Sequence, residues 1–156
     1  MKIRKPTKKD LEELSDLVLQ FWEVHKNLDP LIEPKKKETK QDRIKGFLEF
    51  SKRKNHFLYV AVEEKIVVGY TEFYIKDNDK FFKVRRFGYM DTIVVHKDFR
   101  RKGIGKELTK FVLDFLKKKG IKYVRANVYN KNETALKVWK KAGFEFQSTQ
   151  LFKKIA

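Results

Sequence analysis

The chain has 156 residues, 41% hydrophobic and 14% aromatic, enough to bury one substantial core, so its 38% charged residues read as a solvated surface rather than disorder. The absence of cysteine excludes disulfides, thiolate catalysis and cysteine-ligated zinc, and His25, His56 and His96 make no metal-ligand spacing, so no metal is expected. A net charge of +17 points to an anionic partner, a description that a phosphate-rich cofactor, a nucleic acid and an acidic protein all fit.

One domain over residues 1–156 is expected. No apolar run approaches the roughly 18 residues of a membrane span, and "MKIRKPTKKD" lacks the apolar stretch of a signal peptide. A cytoplasmic protein without a membrane partner follows. The basic clusters at Lys35 to Lys37, Lys52 to Lys54, Arg100 to Lys102, Lys117 to Lys119 and Lys140 with Lys141 are dispersed. A dedicated nucleic-acid module more often concentrates them. Abundant lysine without cysteine also hints at a thermophilic source.

"MKIRKPT" supplies a short opening strand. Thr7 and Asp10 then give a capping-box start to a helix whose apolar face is Leu11, Leu14, Leu17, Val18, Phe21 and Trp22. "NLDPLIEPKKKE" interrupts the pattern, and Thr39 with Asp42 repeats the capping signal before Ile44, Phe47 and Leu48. "HFLYVAVEE" and "KIVVGYTEFYIKD" read as a hairpin turning at Glu64 and Lys65, and a polar loop around "DNDKFFKVRR" leads to a third strand, "FGYMDTIVV". From Ile104 onward Leu108, Phe111, Val112, Phe115 and Leu116 recur at helical spacing up to a stop at Gly120. "IKYVRANVY" alternates as a strand, "NETALKVWKKAG" places Ala135, Val138, Trp139 and Ala142 on one helix face, and "FEFQSTQLFKKI" closes as a strand. This order predicts a mixed α/β (α+β) domain with helices packed on both faces of a sheet.

The segment "FRRKGIGKEL" stands where the third of those strands passes into the strongest helix. The first amides of a helix have no intrahelical partner and carry partial positive charge, so main chain alone can hold an anion there. Gly103 and Gly105 leave those amides bare, and Arg100, Arg101 and Lys102 add charged donors suited to phosphate. A glycine-containing turn with solvated lysines is the plain alternative. A P-loop is excluded because Lys106 precedes Glu107 and position 100 is arginine, and a dinucleotide fingerprint because position 108 is leucine.

Arg100, Gly103 and Gly105, after a strand ending at Val95 and before a long helix, resemble the coenzyme A loop of the GNAT superfamily of N-acetyltransferases. A second GNAT element resembles Asn132, Ala135, Trp139, Gly143 and Phe144, and the element order resembles the whole domain. The resemblance implies a mixed central sheet of six to seven strands flanked by four helices. It implies acetyl transfer from acetyl-CoA to a primary amine, by direct attack in a ternary complex, with no metal. The cofactor would run along Ile93, Val94 and Val95, where GNAT strands splay and a backbone N–H polarises the thioester. Its phosphates would meet Arg100, Arg101, Lys102, Gly103, Ile104, Gly105 and Lys106. Asn127, Asn132, Ala135 and Trp139 would complete the cofactor site, although Asn132 equally suits a helix cap.

An alkyl amine with a pKa near 10.4 is neutral in only about one molecule in 2,500 at pH 7, so a base is useful. By resemblance Asp91 takes that role, through water because aspartate is short, with Glu72 on the adjacent strand in reserve. The alternative for Asp91 is a local hydrogen bond. Many GNATs carry at position 139 a tyrosine that protonates the departing thiolate; Trp139 is far too weak an acid. Water and local dipoles, or Tyr129, would then serve, since thiols titrate near 8.5. Trp139 itself reads as a core aromatic. The resemblance places the amine acceptor, a small molecule or a protein or peptide amine, near "NLDPLIEP" and "DNDKFFK", where Asp29, Glu33, Asp77 and Asp79 could attract a cationic amine; plain surface charge is the alternative for each. A homodimer is compatible with these readings. Two rivals stand beside them: a basic nucleic-acid or ribosome-binding module, and a GNAT domain that binds acyl-CoA without turnover.

Overall fold

Local chemistry sets the helix starts in the computed structural model, which describes residues 1–33 and 37–155. Lys35 and Lys36 of the first basic cluster lie outside the described residues. Strand β1 (Lys2–Arg4) leads into α1 (Lys8–His25), which opens on the expected Thr7/Asp10 capping box. Asp10 also accepts two bonds from Arg4, at 2.6 and 3.0 Å, and this pairing holds its carboxyl down at about 2. Thr39 and Asp42 close the second capping box at the head of α2 (Lys40–Lys52).

Strands β2 (His56–Glu63), β3 (Ile66–Asp77) and β4 (Arg86–Val95) follow as an antiparallel meander. Glu64 and Lys65, with φ of 48° and 70°, turn β2 into β3 in the left-handed geometry that matches strand twist. Helix α3 (Ile104–Lys118), strand β5 (Val124–Ala126) and α4 (Glu133–Lys141) complete the chain. The sheet order is β1-β2-β3-β4-β5, antiparallel except for the parallel β4–β5 pair.

Alternation along the strands divides the core between the two faces. On one face Leu11, Leu14 and Leu17 of α1 and Phe47 of α2 pack against Leu58, Val60, Tyr70 and Val94. On the other, Val112 and Leu116 of α3 pack on Phe73, Ile75 and Met90, while Ile104 and Leu108 pack on Ala61 and Val68. Gly69 sets how closely α3 approaches. A Cβ there would lie 2.7 Å from the Val94 carbonyl oxygen and 3.2 Å from Leu108 Cδ1. Gly69→Ala is therefore expected to lift the head of α3 and to cost about 1–3 kcal/mol, read as a lower urea midpoint at unchanged slope.

The mixed sheet and four helices agree with expectation; the strand count does not. Five strands form among the described residues rather than six to seven. "IKYVRANVY" contributes only Val124–Ala126, because β5 finds a partner in β4 only from Gly88 to Met90. Residues 145–155 form neither helix nor strand. Their apolar side chains find no core: Leu151 is 90% and Ile155 91% exposed. Alternating hydrophobicity makes a strand only where an edge and a face receive it, and three residues of β5 offer little of either.

Candidate active site

Two register irregularities shape the site. Along β3 and β4, Glu72 faces Thr92 and Phe73 faces Met90, so Asp91 is an unpaired extra residue, a β-bulge. With Met90 packed under α3 and Thr92 and Val94 facing α1 and α2, the bulge turns Asp91 and Thr92 to the same side of the sheet as Glu72. At the same point β4 parts from β5, whose pairing ends at Met90. The His96 N–H bonds back to the Val68 carbonyl at 2.9 Å. By alternation the main-chain groups of Ile93 and Val95 face away from β3, into the gap left by β5. One of them, the Val95 carbonyl, accepts a 3.2 Å bond from Arg100 Nε.

The gap runs into the head of α3. Gly103 is the N-cap, with φ of 83° and no side-chain cap. The first backbone bond to reach back is Glu107 N–H to the Gly103 carbonyl, at 3.0 Å. The Ile104, Gly105 and Lys106 amides thus have no partner in the helix. Helices α1 and α2 close capping boxes, and α4 is capped by Asn132, whose Oδ1 accepts from the Ala135 N–H at 3.1 Å. Only α3, of the four, leaves its start bare. The left-handed backbone already calls for glycine at 103, but packing calls for none at 105, where a Cβ would meet only Val95 Cγ2 at 3.7 Å; a Cβ on Gly103 would meet nothing within 4 Å. Arg100, Arg101 and Lys102 are exposed around it, and Lys102 rests 4.9 Å from the Phe99 ring. Open space, unpartnered amides and clustered cations fit a diphosphate.

A cleft of about 220 Å³ opens on the α1/α2 side of the sheet. Phe21, Trp22, Phe47 and Tyr70 give it apolar walls, and Arg43, Glu72 and Thr92 its polar groups. Burial and, secondarily, the negative charge of Asp91 push Glu72 up to about 7, against a weaker pull from Thr92. Asp91 is solvent-accessible, yet loss of hydration beside the sheet still raises its carboxyl, with His56 opposing. His56, Tyr74 and Tyr89 form a ladder across three strands, stacked at 4.8 and 4.9 Å.

The other expected residues are placed as follows. Asn127 is exposed just beyond β5. Asn132 uses its carbonyl oxygen as the α4 cap, and Ala135 lies one turn into that helix. Trp139 packs edge-on against Phe144 at 5.0 Å, as a core aromatic does. The Tyr129 hydroxyl donates to Asp29 at 2.7 Å, and burial and that carboxylate push it up to about 12. Asp77 pairs with Arg86 at 3.2 Å, Asp79 accepts from the Phe81 N–H within its own loop, and Glu33 is exposed. None of Asp29, Glu33, Asp77 and Asp79 lines the cleft. The cleft residues missed in the sequence, Arg43 above all, with Tyr70 on β3 and Thr92 on β4, sit on helices and strands whose pattern gave no functional signal.

Among the described residues no helix is long and apolar enough to cross a membrane, and no His, Asp or Glu group is arranged to hold a metal. The tetramutant of the BH1408 protein from Bacillus halodurans superposes with a TM-score of 0.85 at 19% identity, over 99% of this chain and 100% of its own. Aminoglycoside N-acetyltransferase AAC(6')-Iy, in complex with CoA, gives a TM-score of 0.77 at 20% identity, covering 98% of this chain and 93% of that one. In sequence, GCN5-related N-acetyltransferase 6, chloroplastic, of Arabidopsis thaliana is 29% identical over 70 residues, 45% of this chain. The match spans about a quarter (24%) of that relative's length. The Acetyltransferase (GNAT) family model matches residues 12–144, and the chain belongs to that family.

Proposed function

We propose that this acetyltransferase-family protein moves an acetyl group from acetyl-CoA to a primary amine. The observation that carries the reading is the continuity of the unpaired β4 edge at Ile93 and Val95 with the uncapped start of α3. Main-chain groups of Ile93 and Val95 would align the pantetheine arm, and the amides of Ile104, Gly105 and Lys106, with the Arg100 to Lys102 cations, would hold the diphosphate. Acetyl-CoA supplies an activated acyl carbon: as its bond to nitrogen forms, its bond to sulfur breaks, and the two protons that an ammonium loses pass to Glu72 and to the sulfur.

Glu72 rather than Asp91 is the better-placed base, because it lines the cleft and holds its proton up to about 7. A base poised there is half deprotonated at neutral pH and still strong enough to accept a proton. Asp91, beside it on the bulge, raises Glu72 rather than replacing it. Tyr129, committed to Asp29 and raised to about 12, is a poor source for the thiolate's proton. That proton comes instead through solvent, which a thiol titrating near 8.5 tolerates.

Titration with acetyl-CoA, followed by thiol release across an amine panel, tests the reading. Saturable binding with amine-dependent release is the expected result. Binding without release on any amine would leave a non-catalytic acyl-CoA domain. No binding, with retention on RNA that falls steeply with salt, would leave the basic module.

A further inference from the structure

Arg43 has no part in the reaction as proposed, yet it lines the same cleft as Glu72. Its side chain is only 10% exposed. Nε donates to the Ser15 carbonyl at 2.9 Å, which ties α2 to α1 and fixes the plane of the group. Nη1 lies 3.8 Å from Glu38 Oε2, beyond hydrogen-bond distance. That Glu38 oxygen is buried and has no hydrogen-bond partner among the described residues. Among those residues the guanidinium thus makes a single hydrogen bond, and Nη1 holds Glu38 only as a loose ion pair, which leaves the fork that matches a carboxylate without a hydrogen-bonded partner.

The cleft is thus lined by a cationic residue from α2, a carboxylate residue from β3 and the apolar side chains of Phe21, Trp22 and Phe47. A polyamine or a polycationic aminosugar would set one of its charges against Arg43, in a protein that already carries +17. The volume of about 220 Å³ is also below the roughly 300–1,000 Å³ of sites that enclose drug-sized ligands. A molecule bearing one amine, one carboxylate and a modest apolar side chain satisfies each wall. Resting on the acetyltransferase reading above, we infer that the acceptor is a free amino acid with an apolar side chain, its carboxylate bound by Arg43 and its amine presented to Glu72.

The test compares leucine and phenylalanine with their decarboxylated amines and their amides, by thiol release and by intrinsic fluorescence, since Trp22 lines the cleft. The amino acids should give kcat/KM about 10–100-fold above the matched amines. Arg43→Gln should erase that preference, raising KM for the amino acids about 10–100-fold more than for the decarboxylated amines, and Arg43→Lys should restore part of it. Amines or amides used as well as the amino acids, or an Arg43→Gln loss equal for both, would overturn the inference. If no acceptor releases thiol, saturable quenching by amino acids that disappears in Trp22→Phe and in Arg43→Gln would uphold the ligand class while removing the transfer. Equal quenching by the matched amines would remove the ligand class as well.

Discussion

Gly105→Glu is expected to abolish saturable acetyl-CoA binding while leaving the protein as stable as before, or slightly more so. Position 105 lies in the first turn of α3, does not have the left-handed backbone of Gly103, and has room for a side chain. A glutamate there gains from the helix dipole by about 0.3–1 kcal/mol, and loss of a helical glycine adds about 0.5–1 kcal/mol. The same carboxylate would stand among the amides assigned to the diphosphate, opposing like charge and hiding donors. A loss of affinity of more than about 100-fold, roughly 3 kcal/mol, is expected. Calorimetric titration and a thermal melt on one sample read the two effects, which should have opposite signs. A change at Gly103 would be a poorer test, because its φ of 83° strains any side chain whether or not a ligand binds. Undiminished acetyl-CoA affinity in Gly105→Glu would remove the diphosphate from the head of α3.

Glu72→Gln should lower kcat by about 10²–10⁴ and remove the acid limb of the pH profile. The base must be unprotonated, so wild-type kcat/KM should rise with pH and level off above the point, about 7, to which burial and Asp91 push Glu72. Asp91→Asn discriminates between the two candidate bases. If Asp91 only raises Glu72, its removal lets Glu72 titrate lower, and the limb shifts to more acidic pH with the plateau retained. If Asp91 is itself the base, the plateau collapses in Asp91→Asn and survives in Glu72→Gln.

Stability should move the other way from activity. Folded Glu72 keeps its proton to about 7, whereas in the unfolded chain it releases it near the ordinary value of 4.5. The folded state binds more protons between those limits, so this group's contribution falls as pH rises through that window. Glu72→Gln should consequently melt higher than wild type at pH 8, with a gain of about 3 kcal/mol at most, and show little difference at pH 4. An equal or lower melting point at pH 8 would show that Glu72 is not strained by burial.

The readable parts of this protein are those whose chemistry is local. Thr7 with Asp10 and Thr39 with Asp42 close the boxes that their spacing foretells, because a cap needs only residues within one turn. Gly120, with φ of 76°, ends α3 where the pattern stops, and the Glu64–Lys65 hairpin forms as its flanking runs require. The glycine-bearing head of α3 was legible for the same reason. Its free donors are consecutive amides, and nothing distant has to arrive to leave them bare.

The acceptor side was not legible, because its residues meet only through pairing and packing. A one-residue bulge opposite Glu72 makes β3 and β4 present two carboxylates to one side, and no periodicity in "YMDTIVV" announces it. Register decides which of Asp91 and Glu72 lies in the cleft, and burial there raises Glu72 to about 7, whereas Asp91, also raised, stays solvent-accessible. The closing strand fails on the same ground: Phe146 and Phe152 share one parity of the run but meet no sheet edge able to receive it. Sequence alone determined the helix starts, the glycine-bearing turn ahead of α3 and the family. Tertiary structure alone decided which acidic group faces the cleft and that Arg43 faces it too, since both are distances between segments that the chain order does not fix.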